Sequence, residues 1–185
     1  MTDPALVPQS PLINIAPGSE VSHDKFNVKL VNPFLNVNGD VVAFSILVTT
    51  KKEKPTNVDV VPSWKEAKSQ NPMLSYLAVK RCQNLFDGND QCWTNNHRRR
   101  RVAEPLTEVL FTVGGDSSCS RSSEGYCNGP LNPVTTYYVA LIGYNEVGGY
   151  SIGEFSEPIQ TGDEPIQTGE QHEYLKCFIF VLVHM

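Results

Sequence analysis

The sequence has no long apolar run. The longest, "CFIFVLV" at 177–183, is 7 residues, where a helix crossing a bilayer needs about 20, so no complete membrane-spanning helix is predicted. The N-terminus, "MTDPALVPQSPLINIAPGSE", lacks a basic start followed by an unbroken apolar stretch, and no signal peptide is predicted. There is no P-loop, no H-E-x-x-H and no Gly-rich dinucleotide turn, and no catalytic residue and no cofactor are predicted. The 4 histidines, His23, His97, His172 and His184, are scattered, so no metal centre is predicted, and His23 beside Asp24 reads as a surface pair. No N-x-S/T sequon occurs, and N-glycosylation is not expected. Net charge is −5 and no stacking aromatics interleave the arginines at 98–101, which argues against a nucleic-acid partner.

What is present points to strands. The 185 residues are 40% hydrophobic, enough for the core of one domain. There are 13 prolines and 13 glycines, and the apolar runs are short and bounded by turn residues. "KFNVKLVN" alternates, with Phe26, Val28 and Leu30 on one face, and stops at Pro33. Asn38-Gly39 is a strong turn signal. It precedes a second strand in which Phe44, Ile46 and Val48 share a face. The short link between these two strands predicts that they pair antiparallel. Alternation lapses over 51–104 and resumes in "LTEVLFTVGG". "TYYVALIGYN" is the longest predicted strand and "YSIGEFSEPIQTG" the last.

The segment 51–104 therefore reads as a long insert. It holds 11 basic and 6 acidic residues, a basic stretch in an acidic frame. Inside it Ser63 and Glu66 have the spacing of a capping box, in which each side chain satisfies a backbone N–H of the other's turn. A short helix is predicted there, ended by Asn71-Pro72. The cysteines form two local pairs, Cys82 with Cys92 and Cys119 with Cys127, and leave Cys177 over. Their spacings are wide for zinc; two disulfides and free thiols are the readings that stand. Arg98, Arg99, Arg100 and Arg101 have three readings: a plain basic loop, an anion site for phosphate or sulfated glycan, or a furin-type cleavage site cut after Arg101. Residues 1–22 read as an extended, proline-containing lead-in. Residues 163–185 read as a linker with a duplicated "EPIQTG" and a short apolar end without stable order, the end being either the start of a truncated span or a shifted terminus.

The stretch "GYCNGPLNPVTTYYVALIGYN" carries a family pattern. Leu131, Pro133, Thr135 and Tyr137 form an L-x-P-x-T-x-Y run into the longest strand. This resembles the start of strand F of a fibronectin type III domain, where a tyrosine corner closes a sandwich of two sheets. The resemblance implies an all-β, immunoglobulin-like sandwich over residues 23–162, with strands B, C and E at 25–31, 41–50 and 107–113. Phe26 and Leu30 stand where such domains usually have a tryptophan in strand B. With the Asn38-Gly39 turn, "VPSWKEA" at 61–67, "FTVGGDSSC" at 111–119 and "GYCNGPL" at 125–131, the chain resembles a narrower group. That group is the membrane-proximal fibronectin-like domain of receptor-type tyrosine-protein phosphatases with many extracellular repeats.

The resemblance implies an extracellular structural and adhesive domain whose partners are other ectodomains of the same receptor or a protein ligand. Its link to the membrane would run only through the parent receptor. The phosphatase loop H-C-x₅-R is absent, since no His-Cys dipeptide occurs. The chain itself is therefore not expected to be an enzyme. A standalone secreted binding module is the alternative.

Overall fold

The computed structural model describes residues 13–15, 21–31, 41–82, 85–86, 108–117, 119, 127–146 and 148–164. In chain order these form β1 (Ile13–Ile15), β2 (Phe26–Val31), β3 (Val41–Thr49), a single 3-10 turn (Val58–Val60), α1 (Trp64–Lys68), β4 (Tyr76–Cys82), β5 (Glu108–Val113), β6 (Thr136–Asn145), β7 (Tyr150–Ile152) and β8 (Ile159–Gln160). One sheet runs β1-β2-β5. The other runs β4-β3-β6-β7, with β8 pairing the start of β6. Every pairing is antiparallel. The described residues form a two-sheet β-sandwich with one short α-helix.

The inner core follows the alternation in the sequence. Phe26, Val28 and Leu30 of β2 and Phe111 and Val113 of β5 meet Phe44, Ile46 and Val48 of β3 and Tyr137, Val139 and Leu141 of β6. Along β5 the outward residue Leu110 is 63% exposed while Phe111 is 3% exposed, as a period of two requires.

Two expectations are corrected. The strands β2 and β3 do not pair with each other: β2 bonds to β1 and β5, and β3 to β4 and β6. Their apolar faces pack against each other across the sandwich, so the link between them joins the two sheets. A hairpin would have put both faces on one side of a single sheet. The second correction concerns the insert. Residues 76–82 within it are a full strand, β4, at the edge of the second sheet. Tyr76, Leu77, Ala78 and Val79 are all buried. A strand covered on both faces shows no alternation, which is why the period-two pattern missed it. The lead-in also contributes β1, which adds to the edge of the first sheet beside β2. The Asn38-Gly39 turn lies outside the described residues.

The first part of the insert has a structural task. Ala43 and Leu47 of β3, Leu77 of β4 and Ala140, Ile142 and Tyr144 of β6 form a second buried cluster with Val58, Val61 and Phe155. This cluster lies on the outer face of the larger sheet. The residues around the 3-10 turn, together with Phe155, therefore cover a face that would otherwise meet water. Lys54 ties the cover down through its Nζ, which donates to the Ile152 carbonyl at 3.1 Å and to Glu154 Oε1 at 3.0 Å.

Candidate functional site

The residues that carry the family pattern lie far apart in sequence and converge at one end of the sandwich. Helix α1 starts at Ser63, whose Oγ accepts from the Glu66 N–H, while Glu66 Oε2 accepts from the Ser63 N–H at 2.8 Å. The Ser63 N–H and the Ser63 hydroxyl, which also donates to Oε2 at 2.9 Å, pull the Glu66 carboxyl below its ordinary range. The helix ends at Lys68, with Ser69 as its cap, before Asn71 is reached. A single turn this short is marginal alone, and its docking holds it. Trp64 Nε1 donates to the Pro130 carbonyl at 3.2 Å. Lys68 Nζ donates to the carbonyls of Pro130 and Leu131, each at 3.3 Å, and to Asn132 Oδ1. Burial pulls the Lys68 ammonium down from its usual range; these three acceptors are all uncharged.

The turn that receives the helix is itself fastened on both sides. Cys127 is disulfide-bonded to Cys119, with Cα atoms 5.6 Å apart. Asn128 bridges the end of β5: its Nδ2 donates to the Thr112 carbonyl at 2.5 Å and its Oδ1 accepts from the Gly114 N–H at 2.9 Å. Gly129 sits where a Cβ would come within 3.0 Å of both the Trp64 ring and Cys119 Sγ. The Leu131 N–H donates to the Asp24 carbonyl at 2.8 Å, closing the turn onto the segment before β2. Gly114, at φ +83°, also packs on that carbonyl, and its left-handed backbone suits glycine alone.

Tyr137 completes the end. It is 1% exposed, and its hydroxyl accepts from the Asn132 N–H at 2.9 Å and lies 3.8 Å from Met73 Sδ. Burial pushes this phenol above its ordinary range. Thr135 Oγ1 donates to the Pro133 carbonyl at 2.8 Å, and Leu131 is buried. The same loop grips the chain leaving β8. Thr161 Oγ1 donates to the Asn132 carbonyl at 2.7 Å and accepts from the Thr135 N–H at 3.0 Å. The Val134 N–H donates to the Gly162 carbonyl at 3.1 Å. Val134 adopts φ +49°, a strained setting for a β-branched residue. Tyr137→Phe is expected to lower the unfolding free energy by about 0.5–1.5 kcal/mol, measured by urea denaturation. A change near zero would mean the corner bond contributes nothing.

The structure thus brings together Ser63, Glu66, Cys119, Cys127, Leu131, Pro133, Thr135 and Tyr137. Trp64, Lys68, Asn128, Gly129 and Thr161 were not singled out from the sequence, although all but Thr161 stand inside or beside the quoted motifs. Cys92 and Arg98 to Arg101 lie outside the described residues, as do Cys177, His97, His172 and His184. His23 Nε2 lies 3.9 Å from Asp24 Oδ2. Asp116, Cys119 and Cys127 offer ligand-type atoms within 4.8 Å of one another, but the two sulfurs are bonded to each other. Among the described residues no helix is long and apolar enough to cross a membrane. The arrangement is one of braces: hydrogen bonds, a disulfide and close backbone approach.

A family model assigns the chain. The family model described as "TM proximal of protein tyrosine phosphatase, receptor type J" matches residues 31–152. The rat (Rattus norvegicus) protein phosphatidylinositol phosphatase PTPRQ is 34% identical over 56 residues, which are 29% of this chain and 2% of that protein. The crystal structure of titin domains A168–A170 superimposes with a TM-score of 0.39 and 15% identity, over 86% of this chain and 34% of that one. The family match covers well over half of the sequence and includes β3, β4, β5, β6 and α1 with the disulfide and the tyrosine corner. The chain belongs to the family of membrane-proximal regions of receptor-type protein tyrosine phosphatases.

Proposed function

We propose that this chain is an extracellular structural and adhesive domain of a receptor-type tyrosine phosphatase and performs no catalysis itself. The observation that carries this reading is the braced end. The loop before Tyr137 fastens the chain leaving β8 through Thr161, and the turn just ahead of that loop is held by the insert helix and by the disulfide. A domain that joins distal repeats to a membrane span needs a fixed exit, and these contacts supply one. Protein dephosphorylation would belong to another part of the parent receptor. Two measurements test this. The purified chain should show no turnover of a phosphotyrosine peptide or of a phosphoinositide; turnover lost on substituting a cysteine would overturn the reading. The parent transcript should encode a membrane span followed by H-C-x₅-R. A verified stop codon, with a secretion signal upstream, would favour the standalone secreted module instead.

Processing after Arg101 is part of the same proposal. Such a cut separates β1–β4 from β5–β8. The register from Phe26↔Val113 to Val31↔Glu108 joins the two halves, as does that between β3 and β6. Chain secreted from furin-containing cells is expected to give two bands on a reducing denaturing gel and one species by native size-exclusion. A single band of full length would rule processing out. Binding of a sulfated glycan by the arginines is a separate expectation, checked by loss of heparin retention when all four are changed to alanine.

A further inference from the structure

Resting on the disulfide's geometry and not on the receptor assignment, we infer that Cys119–Cys127 is a directional thiol-exchange site for small thiols, entered only at Cys119 and restrained by Asp116. The two cysteines are unequally buried. Cys127 is 5% exposed, whereas Cys119 is partly open to solvent. Asp116 Oδ2 lies 3.3 Å from Cys127 Sγ. The Asp116 carbonyl lies 3.5 Å from Cys119 Sγ. The Asp116 backbone is itself held, its N–H donating to the Asn128 carbonyl at 2.9 Å, so the carboxylate is anchored beside the buried sulfur.

Exchange proceeds by in-line attack of a thiolate on one sulfur, with the other departing. An external thiolate reaches Cys119 Sγ and forms a new S–S bond there. The Cys119–Cys127 bond breaks, and its electron pair leaves on Cys127 as a thiolate, which then takes a proton from water. A second external thiolate attacks the mixed disulfide, releasing Cys119 as thiol and the reagent as its own disulfide. The chain is reduced by two electrons and two molecules of reagent are oxidised to one disulfide. The departing Cys127 thiolate forms next to a carboxylate, and like charge disfavours it. A poorer leaving group departs more slowly. The carboxylate therefore protects the brace that holds Gly129 between the disulfide and the Trp64 ring.

The test uses the whole oxidised chain and reduced glutathione under native conditions, with iodoacetamide quenching and peptide mass spectrometry. In the once-attacked species, glutathione is expected on Cys119 and the alkyl label on Cys127. Asp116→Asn is expected to lose the Cys119–Cys127 bond about 3- to 10-fold faster than the unchanged chain. Glutathione first on Cys127, or an Asp116→Asn rate equal to or below that of the unchanged chain, would overturn the inference. Should Asp116→Asn not fold, the position of the adduct in the unchanged chain decides the matter. Absence of phosphatase activity or of ligand binding bears only on the receptor reading and leaves this result intact.

Discussion

Replacing Ile142 with alanine is expected to cost about 2–5 kcal/mol of unfolding free energy, as much as the same change at Leu141. The two residues point to opposite faces of β6. Leu141 faces the inner core, and Ile142 faces away from the first sheet, yet they are 1% and 0% exposed. In a sandwich with a bare outer face, the outward residue would lose little on truncation. Here Val58, Val61 and Phe155 close over Ile142, so alanine would leave a cavity that the surrounding strands cannot fill. Urea denaturation of both variants decides it. A loss below about 1 kcal/mol at Ile142, with a large loss at Leu141, would show that the segment around the 3-10 turn does not seal that face in solution.

Gly129→Ala is expected to cost about 3 kcal/mol. A single methyl group at this position would press on the Trp64 ring and on Cys119 Sγ, each within 3.0 Å. Neither neighbour can yield freely. The ring is fixed by the bond from Nε1 to the Pro130 carbonyl, and the sulfur is held by its disulfide. The loss should be coupled to the ring. In a double-mutant cycle with Trp64→Leu, the two substitutions together should cost less than their sum, because contacting residues do not add. Strict additivity would place the indole elsewhere.

These two positions also show what could be read from the residues alone. Ile142 lies in "VALIGYN", whose unbroken apolar character already departs from the alternation of a half-exposed strand. The departure says that both faces are covered, but not by what. Gly129 lies in "YCNGPL", which marks the family, while Trp64 lies in "VPSWKEA", some sixty residues earlier. Each motif was legible by itself. Their contact was not, because it depends on how β3, β4 and β6 are ordered. The helix cap is the opposite case: the bonds of Ser63 and Glu66 span three residues, and local spacing was enough to place them.

The sequence by itself determined the alternating core faces of β2, β3, β5 and β6, the capped helical turn and the tyrosine-corner pattern. Each of these is set by neighbours within a few residues. Only the tertiary structure decided that β2 and β3 lie in different sheets, that residues 76–82 are a strand, and that the insert seals the outer face of the larger sheet. It also decided that Trp64, Gly129 and the Cys119–Cys127 disulfide form one brace at the turn that leads to the tyrosine corner. The physical reason is burial. Once a segment is covered on both sides, its periodicity disappears, and the identity of the covering residues is written elsewhere in the chain.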